Sequence, residues 1–275
     1  MTRPELSVRA PDHLGDAVMA LPAIEALSKR YALEVHAPRW GPDLFDGVAV
    51  VTVDHDPRAE VAALLKPSFG AAWRWRHVPR RVGLATMGRR ILLTDPLDVR
   101  DEHRREGYAR VAAHLGASVE GLPTYRRRGL APDLPDGFVG LNPWSPTSTV
   151  RWPRFRQLAD ALGRDVVFFA GPGEADDVRA IAGPHRVVAG LSLPDFAAAL
   201  DRCRAFVSND SGAAHFAAAC CVRVIVVHGS TAPARTGVGE AVEGQAWCRP
   251  CYRKACPFAL QCLDVKVEAV LRELF

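Results

Sequence analysis

Short apolar runs with the period of a strand alternate with stretches of helical period from one end of the chain to the other. That alternation is the mark of parallel α/β units. In the first half it predicts strands over Glu5–Arg9, Leu33–His36, Val48–Val53 and Phe69–Trp73, and helices over Asp16–Tyr31, Pro57–Leu65 and Asp101–Leu115. Pro22 falls inside the first helical pattern and predicts a kink or an offset start there. The Pro-, Asp- and Gly-rich segment 131–137 fits neither period and reads as a linker. Beyond it the alternation restarts, with strands expected over Phe138–Leu141, Asp165–Ala170, Arg186–Val188, Ala205–Ser208 and Arg223–Val227. Helices are expected over Arg154–Leu162, Gly173–Ala182, Pro194–Leu200, Ser211–Cys220 and Asp264–Leu274. The organisation read from this is two α/β domains, 1–133 and 138–275, with a single doubly wound sheet as the alternative.

Composition narrows the functional classes. With 275 residues, 48% hydrophobic and 24% charged, the chain can bury a core, and disorder is excluded as its main state. No apolar run approaches the roughly 18 residues of a membrane span, and the first ten residues lack the apolar core of a secretion signal, so a cytoplasmic location is expected. A net charge of +4 is too small for a dedicated nucleic-acid binder.

Ligands of such folds sit where strand ends lead into helix N-termini. Loop 208–215, Ser-Asn-Asp-Ser-Gly-Ala-Ala-His, is the sharpest of these: small polar residues precede a helix whose free N–H groups and positive end suit an anion, and Gly212 leaves room for a phosphate. Asp210 suits a ligand presenting hydroxyls beside phosphates; read alone, Asp210 or Ser211 is an N-cap. In loop 10–16, Asp16 read alone is likewise an N-cap carboxylate. In loop 170–174, Glu174 is either a ribose contact or a first-turn carboxylate. Arg151, with the hydroxyls of loop 142–153, is a candidate for holding a diphosphate, and loop 228–237 adds further hydroxyls, Thr231 among them. Neither Gly-x-Gly-x-x-Gly after the first strand nor a Walker sequence is present, which counts against nicotinamide enzymes and P-loop hydrolases.

Two clusters remain. The run from Trp73 to Arg90 holds six arginines and no acid; it is either a solvated basic face or, through Arg74, Arg76 and Arg89, a site for an anionic acceptor or an anionic membrane surface. Near the end stands Cys248-x2-Cys251-x4-Cys256-x5-Cys262, four thiols that either hold structural zinc or iron or remain as free or paired cysteines.

Together these stretches carry a resemblance. His-Leu-Gly-Asp-Ala-Val-Met-Ala-Leu-Pro-Ala-Ile at 13–24, Arg-Trp-Pro at 151–153, Val-Ser-Asn-Asp-Ser-Gly-Ala-Ala-His at 207–215 and His-Gly-Ser-Thr-Ala-Pro-Ala-Arg-Thr-Gly at 228–237 resemble, in order, the motifs of the heptosyltransferases of glycosyltransferase family 9. The cysteine cluster resembles one carried by members near lipopolysaccharide heptosyltransferase II. The resemblance implies a GT-B fold, two Rossmann-like domains facing across a cleft, with an N-terminal acceptor domain, a C-terminal donor domain and a last helix that returns to the first domain. It implies an inverting transfer, without a required cofactor or metal, of heptose from ADP-L-glycero-β-D-manno-heptose to the lipopolysaccharide inner core, at the inner face of the inner membrane. Asp16 takes the position of the general base, Asp210, Ser211 and Gly212 those of the donor diphosphate and heptose, and Glu174 that of a ribose contact. Val150 stands where many members have lysine, and Cys221-Val-Arg223 where Gly-Pro is usual. The alternatives are the same scaffold with another acceptor, a secondary metabolite or a protein, and a non-catalytic sugar-nucleotide binder.

Overall fold

A computed structural model describes residues 3–53, 56–163 and 165–275. They form two compact units, the first running through Thr124 and the second from Tyr125 to Phe275.

The first unit is built as β1 (Glu5–Arg9), α1 (Leu14–Arg30), β2 (Ala32–His36), α2 (Gly41–Phe45), β3 (Val50–Thr52), β4 (Val61–Leu64), α3 (Phe69–Arg74), β5 (Arg80–Leu84), a 3-10 turn over Arg89–Leu92, β6 (Asp95–Leu97) and α4 (Arg104–His114). Its six strands are all parallel, in the order β3-β2-β1-β4-β5-β6. The second unit continues with β7 (Phe138–Asn142), α5 (Phe155–Leu162), β8 (Val166–Ala170), α6 (Ala175–Ala182), β9 (Arg186–Ala189), α7 (Leu193–Leu200), β10 (Cys203–Asn209), α8 (Gly212–Ala219), β11 (Val224–His228), α9 (Pro233–Thr236), β12 (Glu240–Glu243) and α10 (Val267–Leu274). Its parallel sheet runs β12-β11-β10-β7-β8-β9. Counted from its own first strand, each sheet has the doubly wound Rossmann order, with a switch point beside that strand. The α/β reading with two sheets therefore stands, and the single-sheet alternative falls.

Two elements of the first unit correct the sequence reading. The helix expected over Pro57–Leu65 is instead the strand β4: Val61-Ala-Ala-Leu lies between β1 and β5, with Ala62, Ala63 and Leu64 fully buried. A strand covered on both faces reads as a continuous apolar run, which periodicity does not separate from a helix. The strand expected over Phe69–Trp73 is the helix α3, started by Ser68, whose Oγ accepts the N–H of Ala71 at 3.2 Å. The short edge strands β6 and β12 carry little apolar signal and were not expected. Helix α1 runs unbroken from Leu14 to Arg30 through the buried Pro22.

Segment 131–137 has no regular structure but is tied into the second unit. Gly129 N–H donates to Pro194 O at 2.9 Å, Gly137 N–H to Arg202 O at 2.8 Å, and Leu134 is buried. Helix α10 inserts Val270 and Leu274 into the second unit's core beside Phe155 and Ile225.

Helix α8 ends in a Schellman turn: Cys221 N–H donates to Ala218 O at 2.9 Å and Val222 N–H to Ala217 O at 3.2 Å. Cys221 thereby takes φ 64°, the left-handed conformation that favours glycine. A glycine there would take the same φ without a Cβ to strain it. Replacing Cys221 by glycine is expected to raise unfolding stability by about 1 kcal/mol, measured by denaturant titration; an unchanged midpoint would show that the turn carries no strain.

Candidate active site

The donor-type loops of the second unit meet at its switch point, between β7 and β10. Asn209, fully buried at the end of β10, holds the neighbouring loop: its Oδ1 accepts the N–H of Trp152 at 2.9 Å and its Nδ2 donates to Pro143 O at 2.7 Å. Asn142, ending β7, donates to Phe169 O at 3.0 Å on the other side. Ser211 is the N-cap of α8; its hydroxyl accepts from Ala214 N–H and lies 2.9 Å from Ser208 Oγ. The next two amides, Gly212 and Ala213, belong to the set an α-helix cannot satisfy internally, the kind of position that suits an anion.

Asp210 precedes the cap. Thr236 Oγ1 donates to its Oδ2 at 3.0 Å. His215 Nε2 stands 3.9 Å from Oδ1 and His228 Nδ1 3.9 Å from Oδ2. The carboxylate is therefore not the N-cap; Thr236 holds it by a hydrogen bond, and two buried histidines stand beside it. His228 is fully buried, meets Thr231 Oγ1 at 3.2 Å through Nδ1, and its Nε2 has no hydrogen-bond partner among the described residues. Burial pushes this imidazole below its ordinary value, against the opposing pull of Asp210 and Glu243.

Arg151 donates from Nε to Ser145 O and lies over the Trp144 ring at 5.0 Å. Glu174 caps α6 by position, but its carboxylate turns back to accept Gly171 N–H at 2.7 Å. Burial raises its pKa, opposed by that amide and by Arg151. Thr231 lies in a loop that is closely packed against 147–150: Ser230 N–H donates to Thr149 O at 3.1 Å, the hydroxyls of Thr149 and Ser230 meet at 3.0 Å, and a Cβ on Gly229 would stand 2.3 Å from Thr149 O.

The cysteine segment braces the same loops from behind. Cys251 and Tyr252 donate their N–H groups to Ser230 O at 3.0 Å, and Thr149 Oγ1 donates to Arg253 O at 2.5 Å. Arg249 donates to Gly229 O at 2.6 Å, Thr231 O at 3.0 Å and Gly244 O at 3.0 Å. The cysteines at 248, 251, 256 and 262 are all free thiols. Cys256 Sγ accepts N–H groups from Phe258 at 3.2 Å and Leu260 at 3.4 Å. Burial raises the Cys262 thiol, with the neighbouring cysteines adding to the rise. Among the described residues, no three histidine, cysteine or acidic side chains have the spacing to hold a metal ion.

In the first unit, Asp16 is not an N-cap either. His13 takes that place, and Asp16 sits in the first turn of α1. Its side chain is mostly buried and its Oδ1 accepts from Arg104 Nη1 at 2.5 Å, a partner on α4. Nearby, the Tyr108 hydroxyl is buried without a partner among the described residues; burial first, and then the charge of Asp16, keep its proton on.

Beside the switch point of this unit lies a cavity of about 590 Å³, lined by Arg9, Asp12, His36, Arg39, Lys66, Arg74 and Trp75 among others. Asp12 bridges Arg9 and Lys66; burial raises its carboxyl, but those hydrogen bonds outweigh it and hold it below the usual range. Arg74 thus reaches a cavity. Arg76 instead lies over the Trp73 ring at 4.3 Å. Arg89 is the correction within the basic run: it is fully buried and donates to Leu84 O at 2.7 Å, Lys66 O at 2.5 Å and Leu64 O at 3.1 Å. Burial lowers its pKa to about 10. Room for the guanidinium comes from Gly83, where a Cβ would stand 3.1 Å from Arg89 Nη2. Such a group cannot receive an acceptor.

Arg104, Asn209, His228, Thr236 and Arg249 were not singled out from sequence. The Asn and His letters stand inside the quoted motifs, but Arg104 lies 88 residues from Asp16 and carries no local signal.

The model of glycosyltransferase family 9 (heptosyltransferase) matches residues 91–261, more than half of the chain. The chain belongs to glycosyltransferase family 9. It is therefore a glycosyltransferase, and its pair of Rossmann-like units is the GT-B class of fold. Among solved structures, this family 9 chain is similar to E. coli ADP-heptose lipopolysaccharide heptosyltransferase II, with TM-score 0.78 and 21% identity over 98% of this chain and 97% of that one. It is similar to E. coli heptosyltransferase WaaC, solved with ADP-2-deoxy-2-fluoro heptose, with TM-score 0.75 and 15% identity over 98% of both chains. It is also similar to the dodecameric iron-containing heptosyltransferase TibC of E. coli, solved with ADP-D-β-D-heptose, with TM-score 0.73 and 15% identity over all of this chain and 77% of that one. No curated protein matches it in sequence.

The histidine beside Asp210 gives a pH signature. A buried imidazole held neutral makes the unfolded chain the stronger proton binder below its ordinary pKa of 6.5. His228 therefore contributes full stability above about pH 6.5, and that stability is lost as pH falls from there toward the lowered folded value. Denaturant melts at a series of pH values are expected to show the loss, and His228→Gln is expected to flatten it; an unchanged slope would remove His228 as its source.

Proposed function

We propose that this family 9 chain is an inverting transferase that moves heptose from ADP-L-glycero-β-D-manno-heptose to a hydroxyl of an anionic sugar acceptor of the lipopolysaccharide inner core. The carrying observation is the N-terminus of α8, preceded by an Asp210 that Thr236 holds in place. Two of the structures sharing its fold were solved with ADP-heptose compounds, which supports the choice of donor.

In this reading the diphosphate lies on the Gly212 and Ala213 amides, with Arg151 and Thr231 as further donors. Asp210 accepts hydrogen bonds from heptose hydroxyls, and Glu174 from the ribose. As the C–O bond to ADP breaks, negative charge grows on the diphosphate, and the sugar becomes oxocarbenium-like. The fixed amides and Arg151 are aimed at that charge before it develops, so they stabilise the departing ADP without reorganising. They supply the counter-charge that a divalent cation would otherwise bring, hence a metal-independent transfer.

Asp16 takes the proton of the acceptor hydroxyl as that oxygen attacks the opposite face of the anomeric carbon. Arg104 occupies Oδ1 and fixes the carboxylate, leaving Oδ2 for the proton. The acceptor's anionic groups enter the first unit's cavity, where Arg39, Lys66 and Arg74 offer charge-assisted hydrogen bonds. Arg76 and Arg89 have no part in it.

Asp16→Ala is expected to cut turnover by at least about 100-fold with ADP affinity nearly unchanged. Asp210→Ala is expected to weaken donor binding about ten-fold, the scale of one hydrogen bond to a charged group. Calorimetric titration with the ADP-sugar and with ADP, alongside turnover with defined acceptors, separates the two, the Asp210→Ala loss being expected with the ADP-sugar and not with ADP. Near-wild-type turnover in the first variant would remove Asp16 as base. Selective ADP binding without turnover on any acceptor would favour a non-catalytic binder.

The cysteine segment we assign a structural role, holding loops 147–150 and 229–231. The four thiols suit a thiophilic ion such as zinc or iron by donor type, though not by their spacing here, and TibC is an iron-containing neighbour. No chemical step passes through them. At this spacing elemental analysis of the purified protein is expected to find no stoichiometric zinc or iron, and one ion per chain that Cys251→Ser loses, with a fall in ADP affinity, would show that the segment rearranges around a metal. A metal-free protein that binds ADP normally would leave hydrogen bonding alone as the brace.

A further inference from the structure

Tyr108 is 2% exposed, and its hydroxyl has no hydrogen-bond partner among the described residues. A buried phenol usually finds one. Tyr31, for comparison, donates to Leu115 O at 2.8 Å. An unpaired buried donor weakens the fold, and phenylalanine would fill the same space without that penalty. The Tyr108 hydroxyl therefore adds nothing to the stability of the unliganded protein.

Its surroundings give it another use. Tyr108 and Arg104 stand four residues apart on α4 and share one face. Helical side chains lean toward the helix N-terminus, so the Tyr108 ring covers the turn that carries Arg104. From that turn Arg104 Nη1 donates to Asp16 Oδ1 at 2.5 Å, in the first turn of α1. At their other ends the two helices are tied by the Tyr31 hydroxyl, since Tyr31 follows α1 and Leu115 follows α4. Helix α4 is also seated on β5 at Gly107, where a Cβ would stand 2.9 Å from Leu84 Cδ1. The phenol is thus fixed in place close to the carboxylate. Burial, and then the charge of Asp16 ahead of those of Arg104 and Arg89, keep its proton on oxygen, so it is a hydrogen-bond donor.

Asp16 gains from a second donor. Its partner Arg104 is 46% exposed and ends a long flexible side chain. One ion pair of that kind holds a geometry only weakly. Tyrosine has two χ angles and loses little freedom when it binds. A carboxylate held by both donors on one oxygen keeps a single orientation and presents the other to the reacting hydroxyl.

We propose that Tyr108 is a positioning residue for the base: with the acceptor seated, its O–H donates to Asp16 Oδ1 beside Arg104 and holds Oδ2 on the attacking hydroxyl. No proton passes to or from Tyr108. The inference rests on Asp16 as the base.

The test is Tyr108→Phe, alone and in the Asp16→Ala background, with melting temperature and with transfer from ADP-L-glycero-β-D-manno-heptose to truncated inner-core lipopolysaccharide as readouts. Tyr108→Phe is expected to lower kcat about ten-fold, the scale of one hydrogen bond to a charged group, with both KM values unchanged. Its melting temperature is expected to equal or exceed that of wild type, because the free protein loses no hydrogen bond. In the Asp16→Ala background the same substitution is expected to change turnover no further. Wild-type kcat in Tyr108→Phe, or an equal loss in both backgrounds, overturns the proposal. So does a lowered melting temperature with activity falling in step, which would make the hydroxyl structural. Near-wild-type turnover in Asp16→Ala, or a wild type that transfers to no such acceptor, removes the base itself and this role with it, so the two failures are read from different proteins.

Discussion

A helix cannot satisfy its own first N–H groups, and the second unit is organised around that constraint at α8. Ser211 takes the Ala214 amide and leaves those of Gly212 and Ala213 without an intrahelical partner. The strand that delivers this helix ends in Asn209, whose side chain replaces missing backbone partners of loop 142–153. That loop carries Arg151, so one amide side chain ties the arginine's loop to the start of α8. Behind it, Arg249 and the cysteine segment collect the carbonyls of 229–231, the other wall of the same site.

The first unit repeats the strand order but uses its first helix differently. The start of α1 holds a carboxylate, Asp16, where the second unit keeps open amides. An acid at this position is favoured by the helix dipole, and Arg104 adds a second positive group that fixes its orientation. One architecture thus presents helix-start amides in one copy and a held carboxylate in the other, the division of labour that the proposed transfer uses.

Arginine serves two opposite purposes here. Arg89 and Arg249 are turned inward, each closing a bundle of carbonyl ends that water cannot reach. Planar guanidinium suits this because it donates several hydrogen bonds in fixed directions. Arg90 is the next residue and Arg76 lies in the same basic run, yet both face solvent. A sequence run of like charges therefore says little about a surface until each side chain's direction is known.

The sequence by itself determined the class of fold, the alternation of the second unit, and the loops that matter, because apolar period and small polar residues at strand ends are local signals. It also placed Asp16, Asp210 and Ser211 at helix starts. Only the tertiary structure decided that Val61–Leu64 is a central strand, since an apolar run buried on both faces looks the same in either geometry. Only it separated Ser211 as cap from Asp210 as an oriented carboxylate, and supplied Arg104, Thr236 and His228 as partners. Burial and pairing depend on groups brought together from distant parts of the chain. For that reason Arg89, one letter in a basic run, became a core residue once Gly83 and three carbonyls enclosed it.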